Sequence, residues 1–215
     1  MIKEKLDRIR APRSSSGGRT AAGMAGAFVL GAALGVLAKW LDALALDDAI
    51  WWHRGIEALD LGNFFSDLAV WLLAALLLAV FSASALRAAG HVFVFFAGMC
   101  VAYHLYTVVF GGFDPASYMR IWYAITLISP VLAVLCWYAR GTGAAALALD
   151  VGILACFWVA CFAIGFLYVD CRGILYLLTF ISAAAALYRS PKQLALTLAA
   201  GFLLALLISP LWPQL

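Results

Sequence analysis

The sequence predicts an all-α protein, a polytopic bundle of about seven transmembrane helices with a cytoplasmic N-terminus and a C-terminus outside. Hydrophobic residues make up 67% of the 215 residues and charged residues 12%, whereas soluble domains average about 45–50% apolar and about 25% charged residues. Apolar stretches long enough to cross a bilayer recur along the chain. The basic residues alternate between loops as the positive-inside rule expects. These three observations define a multi-pass membrane protein.

Seven hydrophobic segments define the predicted spans. A spanning helix needs about 20 apolar residues, and five segments reach that length easily. The last two reach only about 24 Å at 1.5 Å per residue. We expect them to span with snorkelling ends or to pair as a re-entrant hairpin, so six or fewer spans is the alternative. The predicted spans cover residues 21–41, 65–84, 91–111, 121–139, 144–169, 173–188 and 193–209.

Lysine and arginine residues orient the predicted bundle. With seven spans and a cytoplasmic N-terminus, ten of the 14 basic residues lie on the cytoplasmic side. The four on the outer side are Lys39, Arg54, Arg120 and Arg172. This bias has the sign that the positive-inside rule predicts.

The chain divides into a short arm and a single domain. Residues 1–20, "MIKEKLDRIRAPRSSSGGRT", are basic and then rich in serine and glycine. We expect a flexible cytoplasmic arm that lies on anionic lipid, followed by a retained first span and not by a cleaved signal peptide. Residues 21–215 then form one transmembrane helical domain.

The first outer loop, "DDAIWWHRGIEALDLGNFF", is polar and aromatic together. Aspartate at 47 or 48 is a candidate cap for a short helix. Trp52, Ile56 and Leu59 then share one helical face, and Trp51 and Trp52 suit the depth of lipid headgroups. We predict an amphipathic helix in the outer interface. The alternative is a lid over an outward-facing cavity.

Small residues recur every four positions in the first span, at Gly23, Ala27, Gly31 and Gly35. This spacing lets a second helix approach closely through van der Waals contact. The row predicts a packing face. It leaves open whether another helix of this chain or a helix of a second copy or partner subunit packs there.

Two ionisable residues, Asp150 and His104, lie within predicted spans. Such groups are costly in a bilayer and are functional candidates by default. The two depths differ by about 10 Å along their helices, so we expect two stations on one polar path and not a direct pair. Thr126 and Ser129 add hydroxyls beside Pro130, whose missing N–H bends the helix.

Asp150 has three interpretations. The 19 residues after it suffice to span, so the helix can begin there with Asp150 at the interface, favoured by the helix dipole. Alternatively the helix begins near Gly143, and Arg140 reaches Asp150 as a buried counter-charge. The third interpretation is a role in transport. Gly152 lies about 200° away around the helix, so Asp150 faces a different neighbour from the small residues.

Enzyme motifs do not occur in the sequence. It contains no H-E-x-x-H, G-x-S-x-G, P-loop or G-x-G-x-x-G pattern. The five cysteines lack metal-site spacing. We expect no enzymatic activity, no metal, no cofactor and no nucleic-acid partner. Any active transport would depend on an ion gradient or on a separate ATPase.

Residues 63–143 resemble a known group of proteins. The stretch contains "NFFSDLAVW" and "FVFFAGMCVAYHLYTVVFGGFDPASYMRIWYAITLISPVLAVLCWYARGTG". These residues resemble small uncharacterised multi-pass membrane proteins of Gram-positive bacteria, some of them labelled lantibiotic-transporter permeases. The resemblance implies a plasma-membrane location and a transport role. It supplies no functional residues.

Two functions therefore follow from the sequence. The first is a small permease or transporter subunit with a path through Asp150, His104, Thr126, Ser129 and Arg140. The second is a non-transporting accessory, sensory or immunity subunit that acts through helix–helix partners. The expected partners are the lipid bilayer, a second copy of the chain, or separate ATPase and permease subunits.

Overall fold

The computed structural model describes residues 2–14, 16–47, 49–165 and 168–211, most of which are helical. The all-α prediction is confirmed, with one short hairpin as the exception. The elements are α1 Ile2–Ile9, α2 Gly17–Asp42, α3 Trp51–Ala58, α4 Leu61–Ser66, α5 Leu68–Val80, α6 Ala85–Tyr106 continued by a π-helical turn Thr107–Gly111, α7 Ala116–Ala139, α8 Gly143–Cys161, β1 Phe162–Ile164, β2 Val169–Cys171, α9 Ile174–Leu187, α10 Pro191–Ile208 and a 3-10 turn Ser209–Leu211.

Three serines begin helices at one end of the bundle. The side chains of Ser16, Ser84 and Ser190 each accept a hydrogen bond from a backbone N–H three residues later. Pro191 occupies the first turn of α10, where a missing N–H costs nothing. These caps explain why α2, α6 and α10 begin where they do, because the first N–H groups of a helix need partners.

Five of the described helices are long and apolar enough to cross a membrane, namely α2, α6 with its π-turn, α7, α8 and α10. Two shorter apolar helices, α5 and α9, have 13 and 14 residues. The carbonyl oxygen of Val80, the last residue of α5, accepts a hydrogen bond from Arg10, and Tyr176 near the start of α9 donates to Asp67 just before α5. A helical membrane protein is therefore supported, and the crossing by all seven helices stays a prediction.

Two predicted spans are interrupted. The segment 65–84 breaks at Asp67, whose backbone is extended, and its helix ends at Val80. The segment 144–169 stops at Cys161, where β1 and β2 form an antiparallel hairpin. Apolar residues continue from Phe162 to Val169, so hydropathy alone did not detect the hairpin, whereas the first break coincides with the polar residues Ser66 and Asp67. The last segment begins at Pro191 and has 18 residues, one more than the predicted segment 193–209.

A short helix, α3, occupies the loop after α2, which the sequence predicts to lie outside. Trp51 is 83% exposed, and Trp52 stacks on Trp40 with ring centroids 6.2 Å apart. Ile56 is half-buried. The location of this helix in the membrane interface stays a prediction.

The aspartate cap predicted for α3 is wrong at Asp47. Ile50 precedes the helix, and the Asp47 carboxylate accepts the N–H of Ala49 at 2.9 Å instead. The backbone N–H of Asp47 donates to His53 Nδ1 at 2.8 Å, which folds the turn back onto the helix. The other candidate, Asp48, lies outside the described residues.

Helices α2 and α6 pack at very short distance through glycine. A Cβ atom on Gly31 would clash with the carbonyl oxygen of Phe95, and one on Gly35 would lie 2.6 Å from that of Met99. From the opposite side, a Cβ on Gly98 would clash with the carbonyl oxygen of Phe28. The small-residue row of α2 therefore faces α6 of the same chain.

Ala27 and Gly23 continue this row towards the first turn of α2. Ala27 is 3% exposed. A Cβ on Gly23 would lie 2.8 Å from the His91 ring, which is on α6. The four positions thus form one contact surface along α2.

We expect Gly31→Ala to destabilise the protein by about 1–3 kcal/mol, because the added methyl group overpacks the α2–α6 contact. Gly26→Ala on the same helix is the matched control, since no atom lies within 4 Å of its Cβ position. That change should alter stability by less than about 1 kcal/mol. Unfolding temperatures in detergent measure the difference, and equal temperatures for the two variants would contradict the packing described.

Candidate functional site

Helix α8 carries a carboxylate on one face and small residues on another. The helix begins at Gly143, where φ is +85°, so Asp150 lies about two turns inside it. Asp150 has no exposed surface. The interpretation in which the helix begins at Asp150 is therefore wrong, and the carboxylate is buried.

Asp150 is paired with two residues of the α9–α10 region. Its Oδ2 atom contacts the guanidinium of Arg189 and accepts a hydrogen bond from Gln193 Nε2 at 2.9 Å. The backbone N–H of Arg189 donates to Gln193 Oε1 at 3.1 Å, which fixes the amide in place. Arg189 also donates to the carbonyl oxygen of Gly141. One cluster, buried at Asp150 and partly exposed at Arg189 and Gln193, thus joins α8, α10 and the α7–α8 turn.

Arg140 is not the counter-charge of Asp150. Its guanidinium lies over the ring of Phe81, 4.9 Å from the ring centroid. Asp150 points to α10 instead of back to the end of α7, which is why Arg189 and not Arg140 reaches it. The sequence contained a signal for this partner, since Arg189 is one of the few cations beside an apolar segment, but it gave no information on which helices are neighbours.

His104 lies at the opposite end of the bundle. Its Nδ1 atom is 2.8 Å from the hydroxyl of Tyr123, and its Nε2 atom is 3.8 Å from a carboxylate oxygen of Asp114. The side chain is 31% exposed. The structure therefore places His104 and Asp150 at different ends and in different surroundings.

Thr126 and Ser129 lie together on α7 beside Pro130. Pro130 cannot donate to the carbonyl oxygen of Thr126 four residues back, and the Ser129 hydroxyl donates to that oxygen at 2.8 Å. Thr126 donates to the Trp122 carbonyl oxygen at 2.8 Å, and its hydroxyl is 3.4 Å from Cys100 Sγ. Both hydroxyls thus satisfy local groups and do not extend towards Asp150 or His104.

The N-terminal arm docks on the same end as Asp150. Arg10 donates to the carbonyl oxygens of Trp137 at 2.6 Å and Val80 at 2.8 Å, and its guanidinium lies 4.4 Å from the centroid of the Trp137 ring. The backbone N–H of Thr142 donates to the carbonyl oxygen of Ile9 at 2.8 Å. These bonds join the arm to the ends of α5 and α7 and to the start of α8.

Arg10 lies among other cations. Burial, followed by the positive charges of Arg140 and Arg13, lowers the pKa of the Arg10 guanidinium to about 10. The group is still protonated at neutral pH, so both of its charge-assisted hydrogen bonds are present under physiological conditions.

Sequence reasoning missed a serine–histidine contact at this end. Ser82 Oγ lies 2.8 Å from His91 Nδ1 and donates to the Leu78 carbonyl oxygen at 2.7 Å. The carbonyl oxygen of Ser82 accepts the indole N–H of Trp137 at 2.8 Å. The only signal was a serine-containing turn followed by a histidine, which is too common to single out.

A cavity of about 340 Å³ lies between α5, α6, α7 and α8. Gly152 and Cys156 line it from α8, and Ser129 and Cys136 line it from α7. Among the described lining residues, Ser129 carries the only side-chain oxygen. Asp150 is on the other side of α8 and faces α10. The cavity and the ion cluster are thus separate features of one helix.

No protein family, curated protein or solved structure matches this chain.

Arg189→Gln should destabilise the protein by about 3 kcal/mol, because it leaves the Asp150 charge buried without its cation. Arg140→Gln is the matched control: it removes a contact with Phe81, worth about 0.5–1 kcal/mol, together with a positive charge near Arg10. The unfolding temperatures of the two variants, monitored by the loss of the folded peak in size-exclusion chromatography after heating, are compared. A larger loss for Arg140→Gln would show that Arg140 is the counter-charge.

Arg10→Gln should release the arm, since the shorter amide cannot reach both carbonyl oxygens and lacks the charge. We expect trypsin to cut after Arg13 severalfold faster in this variant than in the unaltered protein. Arg8→Gln is the control, because the Arg8 side chain is exposed. Timed digestion with mass analysis of the fragments gives the rates, and equal rates for both variants would refute the docked arrangement.

Proposed function

We propose that this helical membrane protein is a small permease or transporter subunit, and that the central cavity is its substrate site. The observation that carries the proposal is a volume of about 340 Å³ between four helices. Ligand pockets commonly measure about 300–1,000 Å³ and often lie between the helices of bundles. The sequence predicted a polar path as the substrate site, and we propose the cavity in place of that path.

The lining determines the class of substrate. Leucine, isoleucine, valine and phenylalanine side chains form most of the wall. Such a wall offers no partner for a charged solute, whose transfer from water would be very costly. The proposed substrate is therefore apolar or has a long apolar part.

Pro130 supports a site that changes shape. It interrupts the hydrogen-bond ladder of α7 next to Ser129, which lines the cavity. A helix bends more readily where its ladder is interrupted. In this proposal α7 moves about Pro130, while the Asp150–Arg189 pair holds α8 and α10 together.

Several further features belong to the same proposal. They are the plasma-membrane location, the cytoplasmic side of the Arg10 end, the interfacial position of α3, and a second copy or a separate ATPase as partner. Support comes from the basic residues at the Arg10 end, where Arg13, Arg140 and Arg189 also lie. A cytoplasmic end is expected to be the more basic one.

A permease site must open to water on at least one side, and this requirement can be tested without knowing the substrate. A variant that keeps Cys156 as its single cysteine is reconstituted in vesicles and treated with a charged methanethiosulfonate reagent from either side. Cys156 lines the cavity, whereas Cys161 is fully buried outside it. We expect Cys156 to react clearly faster than Cys161 does in a matching variant that keeps Cys161 as its single cysteine.

Adding Gly152→Leu should fill the cavity and reduce Cys156 labelling to the Cys161 rate. Gly26→Leu is the control, because both glycines have open space around their Cβ positions but only Gly152 lines the cavity. If Cys156 reacts no faster than Cys161 from either side, the cavity does not open to water, and the permease proposal is overturned.

A further inference from the structure

The rim of the central cavity continues into the outer surface of α7. Leu132 and Leu135 line the cavity and are 46% and 42% exposed. Their neighbours Ile128 and Val131 are 54% and 61% exposed. Exposed apolar residues in the middle of a spanning helix face lipid. The cavity rim is thus continuous with the surface that contacts the bilayer.

In the arrangement that the structure describes, the interior of the cavity suits a hydrocarbon and not water. Ser129 is 2% exposed, and its hydroxyl already donates to the Thr126 carbonyl oxygen at 2.8 Å. A buried water needs about two to four polar partners, which this wall does not offer. The volume of about 340 Å³ is open at the rim formed by Leu132 and Leu135, so it is a crevice and not a sealed cavity.

Gly152 leaves space in the wall opposite the α7 leucines. No atom lies within 4 Å of the position that its Cβ would occupy. An empty volume deprives the surrounding side chains of dispersion contacts, and a chain of methylene groups restores them. Because acyl chains are the surrounding medium at this depth, they reach the rim without crossing water.

We propose that the central cavity holds one acyl chain of a bilayer phospholipid, which enters past Leu132 and Leu135 and lies against Gly152. The headgroup stays outside, since the cavity provides no group to bind it. This inference rests on the proposed function in treating the cavity as a ligand site. It adds the chemical class of the ligand.

The experiment uses phosphatidylcholine vesicles that contain the full chain. One sample carries a photoactivatable diazirine in the middle of an acyl chain, and a second carries it on the headgroup. After irradiation, mass spectrometry locates the labelled residues. We expect the mid-chain probe to label cavity residues such as Leu149 and Ile153, and the headgroup probe to leave them unlabelled.

Gly152→Leu should abolish the labelling of these two residues, and Gly26→Leu should leave it unchanged. Ala148→Leu, which also fills the cavity, is a second variant in case the first does not fold. Labelling that persists in both folded cavity variants, or that is absent from the unaltered protein, overturns the inference.

The outcomes for the two proposals are separable. Lipid labelling measures whether an acyl chain occupies the cavity, whereas Cys156 reactivity measures whether the cavity is accessible from water. If Leu149 and Ile153 stay unlabelled in the unaltered protein while Cys156 reacts with the charged reagent, the acyl-chain inference fails and the permease proposal stands. The reverse result leaves a lipid-filled cavity in a protein that is not a permease.

Discussion

A carboxylate with no exposed surface, inside helices made almost entirely of apolar residues, requires a counter-charge and hydrogen-bond donors. Asp150 obtains the first from Arg189 and the second from Gln193. An unpaired buried charge costs several kcal/mol, so the chain is constrained to bring α10 next to α8. Because Arg189 also donates to Gly141, the same requirement fixes the turn between α7 and α8.

The polar contacts of the bundle are concentrated at its ends, and this distribution explains the character of its middle. Arg10 adds a second charged cluster at the Asp150 end, where it satisfies carbonyl oxygens of α5 and α7. Between the ends, α5 to α8 meet through apolar side chains that leave a cavity of about 340 Å³. Association of helices in lipid depends on close packing, and the unfilled volume there is the place where we propose an apolar ligand.

The sequence predicted the features that depend on local pattern and missed those that depend on which helices are neighbours. The row through Gly31 and Gly35 identified a contact face, but α6 as its partner was not readable from α2. The angle of about 200° between Asp150 and Gly152 correctly separated two faces of α8. The identity of Arg189 as the counter-charge, 39 residues away, required the fold. Hydropathy concealed the hairpin after Cys161, which lies in apolar sequence, whereas the break before α5 coincides with two polar residues, Ser66 and Asp67.

Asp150 and Arg189 form an ion pair, buried at its carboxylate, that holds α8 and α10 together. An exchange of the two charges tests this pairing, by comparing the unfolding temperatures of Asp150→Arg, Arg189→Asp and the combination of both. Each single variant should have a clearly lower unfolding temperature, and the combination should recover a substantial part of the loss. If the decrease in unfolding temperature of the combination equals the sum of the two single decreases, the pairing is contradicted, since residues that do not interact contribute additively.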